Sequence, residues 1–465
     1  MSIWIPFFNV LWQLRDAFPR KQTFLFFCVS VVGICIRSDT RGVTSFVRSL
    51  ALKDACYHGF LRLFHCCSLD PGRLFDKWTT VVFKIFAKNI VTVNGRVILA
   101  ADGLKIAKEG KRMPGVRSLH QESSNNTKPT WIMGHYFQVI SVIAEGLGRS
   151  FAVPISARIH DGLRCSNRES KTLVEKLYLE LLWLPIPQPL ILVADSYYAA
   201  KVCVDLLSSF DHHLVTQVRM NTVGREEPIQ VKGKRGRKPK YGKHVKLKPL
   251  FEDEMQEVTA TIYGKKEVAI KFWCRDLLWT AHGGKVRFVG TILPDGRRSI
   301  LMTTDLTLEP REIIEIYALR MKIEQSFKVS TRQLGSFAYH FWCKSMDKIK
   351  SRSKGQYLHK KSKEYREKMI QKLESCERFV FAGCVAQGIL QYLASCYPSL
   401  VWGSFNSWYR SQLTTVSPTE EIVQSALKTR LFELFTSKQI SPDITKFISE
   451  KTDKGRLSEP FLRTG

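Results

Sequence analysis

Three carboxylates, Asp102, Asp195 and Glu324, have the residue types and the placement for a metal-dependent reaction. Asp102 closes the apolar, β-branched run NIVTVNGRVILAAD (89–102) and Asp195 closes PLILVAD (189–195), so the pattern puts each at the end of a buried strand. Glu324 falls within a later helix-patterned stretch. Two-metal phosphoryl transfer needs this kind of set, because ions about 3.5–4 Å apart must be held by hard oxygens from separate elements. Singly, each residue has a blander reading. An aspartate at a strand end is often a turn residue or the N-cap of the next helix. Asp102 followed by Gly103 also fits a hairpin turn, and Glu324 between Arg320 and Lys328 fits an exposed salt-bridge ladder. The surroundings of Glu324 favour chemistry: Tyr317, Arg320, Glu324 and Lys328 share one helical face, placing a hydroxyl and two cations beside a carboxylate, where a phosphate could be held.

Charge points the same way. Lys and Arg number 71 against 42 Asp and Glu, a formal net charge of +29, and a polyanion would relieve that self-repulsion. Nucleic acid is the leading partner, ahead of a ribosomal or membrane-surface role. KGKRGRKPKYGKHVKLK (232–248) holds nine Lys and Arg and no acid, and suits phosphate contacts through Lys234, Arg235, Arg237 and Lys238. Within it KRGRKP (234–239) resembles a minor-groove AT-hook whose Arg-Pro core is broken by Lys238; generic phosphate attraction is the plainer reading. A second basic stretch, 344–372, has eleven Lys and Arg against three acids. Twelve scattered cysteines without a CxxC pair read as reduced thiols of a cytosolic protein. The uncharged run 22–36 would span only about 22 Å as a helix, too short for a bilayer, and reads as a buried helix with no membrane role.

The elements that must position the carboxylates follow from periodicity. Residues 1–88 read as a helical domain for DNA or dimer contacts. Residues 89–221 read as β-β-β-α-β-α-β, with the first helix opened by Ser166 as N-cap, and predict a mixed sheet with helices packed on it. Residues 222–308 form a basic, β-rich insertion. Residues 309–400 return to the core through one helix over 309–335, begun at Pro310 and ended at Gly335, a basic helical region, and an apolar helix over 379–395. Residues 401–465 form a helical tail. The fold class is α/β.

Three strings, AADGLKIAKEGKRMPGVRSLHQESSNNTKPTWIMGH (100–135), LVADSYYAAK (192–201) and YALRMKIEQSFK (317–328), together resemble the DDE transposases of bacterial insertion sequences, in their IS-four-like group. The resemblance spans roughly residues 20–400. It implies a ribonuclease-H-like mixed sheet with flanking helices and a β-rich insertion before the glutamate. It implies Asp102, Asp195 and Glu324 as catalytic ligands of two Mg²⁺ or Mn²⁺ ions, and Tyr317 and Arg320 as contacts to DNA near the scissile phosphate. It further implies cut-and-paste transposition by a homodimer acting on terminal inverted repeats and target DNA, in a cytoplasmic, nucleoid-associated setting. A nuclease that cuts without joining and an inactive DNA-binding descendant are the alternatives. One position departs from the group: its usual lysine, seven residues after the glutamate, is Thr331 here, leaving Lys328 or Arg332 to supply the cation. His120, Lys128 and His135 could face the site, and Tyr197 and Tyr198 could stack on a base, though local packing explains these residues equally well.

Overall fold

Residues 1–121, 129–229, 239–407, 412–437 and 440–457 are described by a computed structural model. Its strands are β1 (Arg96–Ala107), β2 (Trp131–Gly146), β3 (Arg149–Arg158), β4 (Leu190–Ala194), β5 (His213–Val218), β6 (Lys265–Trp279), β7 (Gly284–Ile292) and β8 (Arg298–Thr303), with shorter strands at the edges. Adjacent β1 and β4 run parallel, Val97 to Ala101 against Leu190 to Ala194, and β5 continues parallel to β4. β2 is antiparallel to β1, and β3 antiparallel to β2. All five residues of β4 are buried, as its unbroken apolar run requires of a strand covered on both faces.

The strand expected to stop at Asp102 runs through it. β1 continues to Ala107, with Gly103 opposite Gln138 and Lys105 opposite Tyr136, which excludes a hairpin turn at Asp102–Gly103. Its parallel pairing with β4 does stop there, at Ala101 opposite Ala194. Asp102, within β1, and Asp195, just past β4, are therefore the next residues after the last parallel pair of these neighbouring strands.

The strands of residues 222–308 pair onto this same sheet. β8 is antiparallel to β5, β7 to β8 and β6 to β7, and Gln256–Ile262 closes against β6. At the opposite side β3 is an edge strand, which tolerates Pro154 because no neighbour needs its missing N–H.

Helices fill the remaining surfaces. They include α1 (Lys21–Ile36), α2 (Pro71–Ile85), α3 (Leu173–Trp183), α4 (Pro310–Leu319), α5 (Met321–Lys328) and α6 (Lys363–Cys396). α2 is capped by Asp70, which accepts from the Arg73 N–H at 2.8 Å, and its Trp78 indole donates to the Pro154 carbonyl at 2.8 Å, fixing the helix to β3. α3 begins later than expected: Thr172, not Ser166, is its N-cap, in a reciprocal box with Glu175. Ser166 instead accepts from the Arg168 N–H in a turn. The charges of residues 363–378 hid the first half of α6 from the apolar pattern. Glu377 and Arg378 are buried on it because each is paired: Glu377 accepts from Arg158 Nε at 3.0 Å and from the Ile159 N–H at 2.8 Å, and Arg378 donates to the Leu69 and Phe64 carbonyls. α6 is long and apolar enough to cross a bilayer, but 89% of its apolar window is buried within the protein. α1 packs against α6, and one continuous apolar cluster joins the N-terminal helices, the sheet and the C-terminal helices.

Candidate active site

Asp102 and Asp195 leave the ends of the parallel pairing as neighbours, and each spends one oxygen on its own backbone. Asp102 Oδ1 accepts from the Gly103 N–H at 2.7 Å, and Asp195 Oδ1 accepts from the Ser196 N–H at 2.6 Å. Asp195 thus caps the turn Ser196–Tyr198, the structural role expected of an aspartate at a strand end. A backbone N–H on one oxygen fixes the carboxylate plane and leaves the second oxygen to face the site.

The third carboxylate arrives on α5. The single helix expected over 309–335 is instead divided, because the backbone tightens at Arg320: its N–H bonds to the Tyr317 carbonyl, and its own carbonyl accepts from the Ile323 N–H. The run ends as a π-turn over Val329–Gln333, with Gly335 in the left-handed region at φ +60°, where glycine is favoured. Buried Arg37, just past α1, donates to the carbonyls of Leu334 and Gly335 and so clamps this end to the N-terminal helices.

Arg320 stands between the carboxylates. Its guanidinium lies 3.4 Å from Asp102 Oδ2 and 2.8 Å from Glu324 Oε1. Burial pushes the Asp102 carboxyl up to about 6 although the Gly103 N–H and Arg320 oppose it, and Asp195 and Glu324 add to the rise, placing all three carboxylates within one electrostatic neighbourhood. Burial works against the Arg320 charge too, but Tyr317, Asp102, Glu324 and Asp195 outweigh it and hold the guanidinium protonated. Tyr317 donates to Gln217 Oε1 on β5 at 3.0 Å, and burial pushes its phenol up to about 12. Half of the expected ladder exists, Arg320 with Glu324. Lys328 and Arg332 are exposed and have no ion-pair partner among the described residues, so Lys328 is not the partner of Glu324.

Two residues of the site escaped the sequence reading. Tyr136 reaches over from β2, and a Cβ on Gly103 would lie 2.0 Å from its hydroxyl, so only glycine leaves room for the phenol beside Asp102. Gln217 anchors Tyr317. An alternation count that carried β1 past Asp102 would have found Tyr136 diagonally across from Gly103.

Other candidates fall elsewhere. His135 is fully buried away from the carboxylates, between the Tyr339 hydroxyl at 2.6 Å and the Pro114 carbonyl at 2.8 Å, a local structural role. Burial lowers its pKa to about 3, keeping it neutral. His120 is exposed beside Trp131. Tyr198 is buried and packs the turn after Asp195, whereas Tyr197 is exposed. Lys128, Lys234, Arg235, Arg237 and Lys238 lie outside the described residues.

As for metal, the donor chemistry is that of hard carboxylate oxygens: Asp102 and Asp195 each have one oxygen fixed by a backbone N–H, Asp195 and Glu324 are near enough to raise the Asp102 carboxyl, and a positive charge, the Arg320 guanidinium, bridges Asp102 and Glu324. Among the described residues no three donors stand close enough to hold one ion as they are.

Residues 151–342 match the family model described as "Transposase DDE domain"; the match takes in Asp195 and Glu324, and Asp102 precedes it. No curated protein matches the chain. Among solved structures, a cryo-EM structure of a piggyBac transposase synaptic complex with hairpin DNA aligns at 11% identity and a TM-score of 0.36, covering 95% of this chain and 75% of that one. The central segment thus resembles a transposase DDE domain, and that match supports a DDE transposase.

Proposed function

We propose that this chain is a DNA transposase, cleaving element ends and joining them to target DNA through Asp102, Asp195 and Glu324. The observation that carries the reading is the placement of both aspartates at the carboxyl end of the parallel pairing of two adjacent strands, each just past its last pair, with Glu324 linked to Asp102 through Arg320. Ligands of open α/β sheets bind at that end of the strands. The strand series, three antiparallel and then two parallel with helices between, supports a ribonuclease-H-like core. The motif strings support the bacterial IS-four-like group.

In this reading Asp102, Asp195 and Glu324 would hold two Mg²⁺ or Mn²⁺ ions, which supply Lewis-acid stabilisation and lower the pKa of bound water. Arg320 exchanges its carboxylate partners for a phosphate oxygen of the bound strand. Tyr317, fixed by Gln217, orients the neighbouring backbone, and Lys328 and Arg332 reach phosphates from the open side of the helix. The substrates are the terminal inverted repeats of its own element and then target DNA. Two ends cut together call for a homodimer, and cut-and-paste movement in the cytoplasm, at the nucleoid, follows from the same resemblance.

The test uses duplexes copied from the DNA flanking the coding region, incubated with the protein and Mg²⁺. Cleavage at a repeat boundary followed by joining to a second duplex is expected. Cutting without joining would replace this reading with that of a nuclease, and neither cutting nor joining would leave an inactive descendant.

A further inference from the structure

Beyond the sheet end that carries the aspartates lies a basic segment to which the catalytic reading gives no task. Residues 343–362 contain seven Lys and Arg and one acid, Asp347. All seven cations are exposed, and only Lys361 has a carboxylate partner among the described residues, Asp347 at 2.9 Å. Such a run is ordinarily a solvated, mobile stretch. Here it is tied down, although apart from the two-residue strand Gln356–Tyr357 it has no regular secondary structure.

Two devices order it. Cys343, Met346 and Leu358 form a small apolar core with Met369 of α6, separate from the main one. Backbone hydrogen bonds then join the segment to the chain that follows β1 and β3: Cys343 to the Arg112 carbonyl and Ile349 to the Lys111 carbonyl, both at 2.8 Å, Ser118 to the Ser353 carbonyl at 2.7 Å, and Gln356 to the Gly162 carbonyl at 2.8 Å. Arg352 is held in the left-handed region at φ +61°, which is costly for a side-chain-bearing residue. Repulsion among the cations, loop ordering and backbone strain all oppose this arrangement, so a fold that keeps it has a use for fixed positive charge. Long ordered loops without regular structure are usually functional.

Its place in the fold selects the partner. β1 runs five residues beyond Asp102 before the chain turns into the segment that the basic loop grips, a distance of about 17 Å at strand rise. That is about half a turn of duplex measured along its axis. We propose that residues 343–362 are a preformed platform for the phosphate backbone of duplex DNA flanking the cleaved bond, with Lys344, Lys348, Lys350, Arg352 and Lys354 as its contacts. Arg164, exposed and set 5.4 Å from the Tyr357 ring, extends the platform across the neighbouring strand. The proposal rests on the transposase reading for its choice of DNA; the loop's order and charge stand without it.

The experiment compares the full chain with a variant carrying Lys344→Ala, Lys348→Ala, Lys350→Ala, Arg352→Ala and Lys354→Ala, by fluorescence anisotropy on a random 40-base-pair duplex across a KCl series. Each phosphate that is no longer neutralised makes the log-log salt slope shallower by about 0.9, so a change of about three units or more is expected. A variant with lysine at 352 and arginine at the other four positions keeps the wild-type slope if charge is what matters. A matching thermal melt of all three proteins separates weaker DNA binding from impaired folding. An unchanged slope in the alanine variant, or an equal loss in the charge-conserving one, overturns the platform while leaving the transposase reading intact. A wild-type chain that binds anionic vesicles but not duplex overturns both.

Discussion

Arg320→Ala should change DNA cleavage and metal affinity in opposite directions. The guanidinium sits 3.4 Å from Asp102 and 2.8 Å from Glu324, and the Arg320 and Asp102 side chains are only 16% and 24% exposed. At an effective dielectric of 20, each contact is worth about 5–6 kcal/mol of bare Coulomb attraction. Desolvation and solvent screening cancel most of that, more so at Glu324, which is 37% exposed, leaving a net hold of about 1–2 kcal/mol in all. In the proposed two-ion site, that is the work of withdrawing Arg320 so that Asp102 and Glu324 can share a divalent ion. Removing the side chain should therefore tighten Mn²⁺ binding by about tenfold in the absence of DNA, since about 1.4 kcal/mol is a factor of ten. If Arg320 meets the developing phosphate charge as proposed, the same change should slow single-turnover cleavage by about 10²–10³. Isothermal titration with Mn²⁺ reads the first effect and quenched-flow cleavage the second. Arg320→Lys should recover part of the cleavage but not the bridge, because a point charge cannot span two carboxylates. Unchanged or weaker Mn²⁺ binding in Arg320→Ala would refute the reasoning, as would cleavage at the wild-type rate.

Further outcomes follow from particular contacts. Gly103→Ala should drive the Tyr136 phenol off its position and slow cleavage more than tenfold with little loss of thermal stability, yet add nothing in a Tyr136→Ala background; additive losses in the double variant would place the effect elsewhere. His135 is held near pKa 3 by burial, against about 6.5 unfolded, so the unfolded chain takes up its proton first as pH falls. Its contribution is complete above pH 6.5 and is lost from there towards pH 3 at up to about 1.4 kcal/mol per unit, so a His135→Asn variant should show a flatter urea-measured stability profile, and equal slopes would contradict the assignment. Lys328→Ala or Arg332→Ala, but not both equally, should lower cleavage more than tenfold, with Thr331→Lys tolerated; wild-type rates in both alanine variants would leave Arg320 as the cation at the phosphate.

Much of the scaffold was legible in sequence because it is written in local patterns. The unbroken apolar run of β4, the β-branched runs that became β6, β7 and β8, and the helix stop at Gly335 needed no knowledge of their neighbours. The extension of β1 past Asp102 was not legible, because residues 102–106 are only half-buried and show no clean alternation. Half of α6 was hidden by charges that are satisfied only through distant partners, as Glu377 is by Arg158. The site divides the same way. The three carboxylates and Arg320 stood out by type and spacing, whereas Tyr136 and Gln217 enter through cross-strand and helix-to-sheet contacts that no local window contains. The position of Arg320 between Asp102 and Glu324, 218 residues from the first and four from the second, depends on how the sheet and helix meet.

The most direct test of the central claim is Mg²⁺-dependent cleavage of an end-containing duplex by Asp102→Ala, Asp195→Ala and Glu324→Ala, with DNA binding measured in parallel. Removing one ligand of a two-metal site disturbs the positioning of both ions, so each variant should bind DNA at near wild-type affinity and show no detectable cleavage. A variant of any of the three that still cuts at close to the wild-type rate would remove that residue from the site and contradict the account.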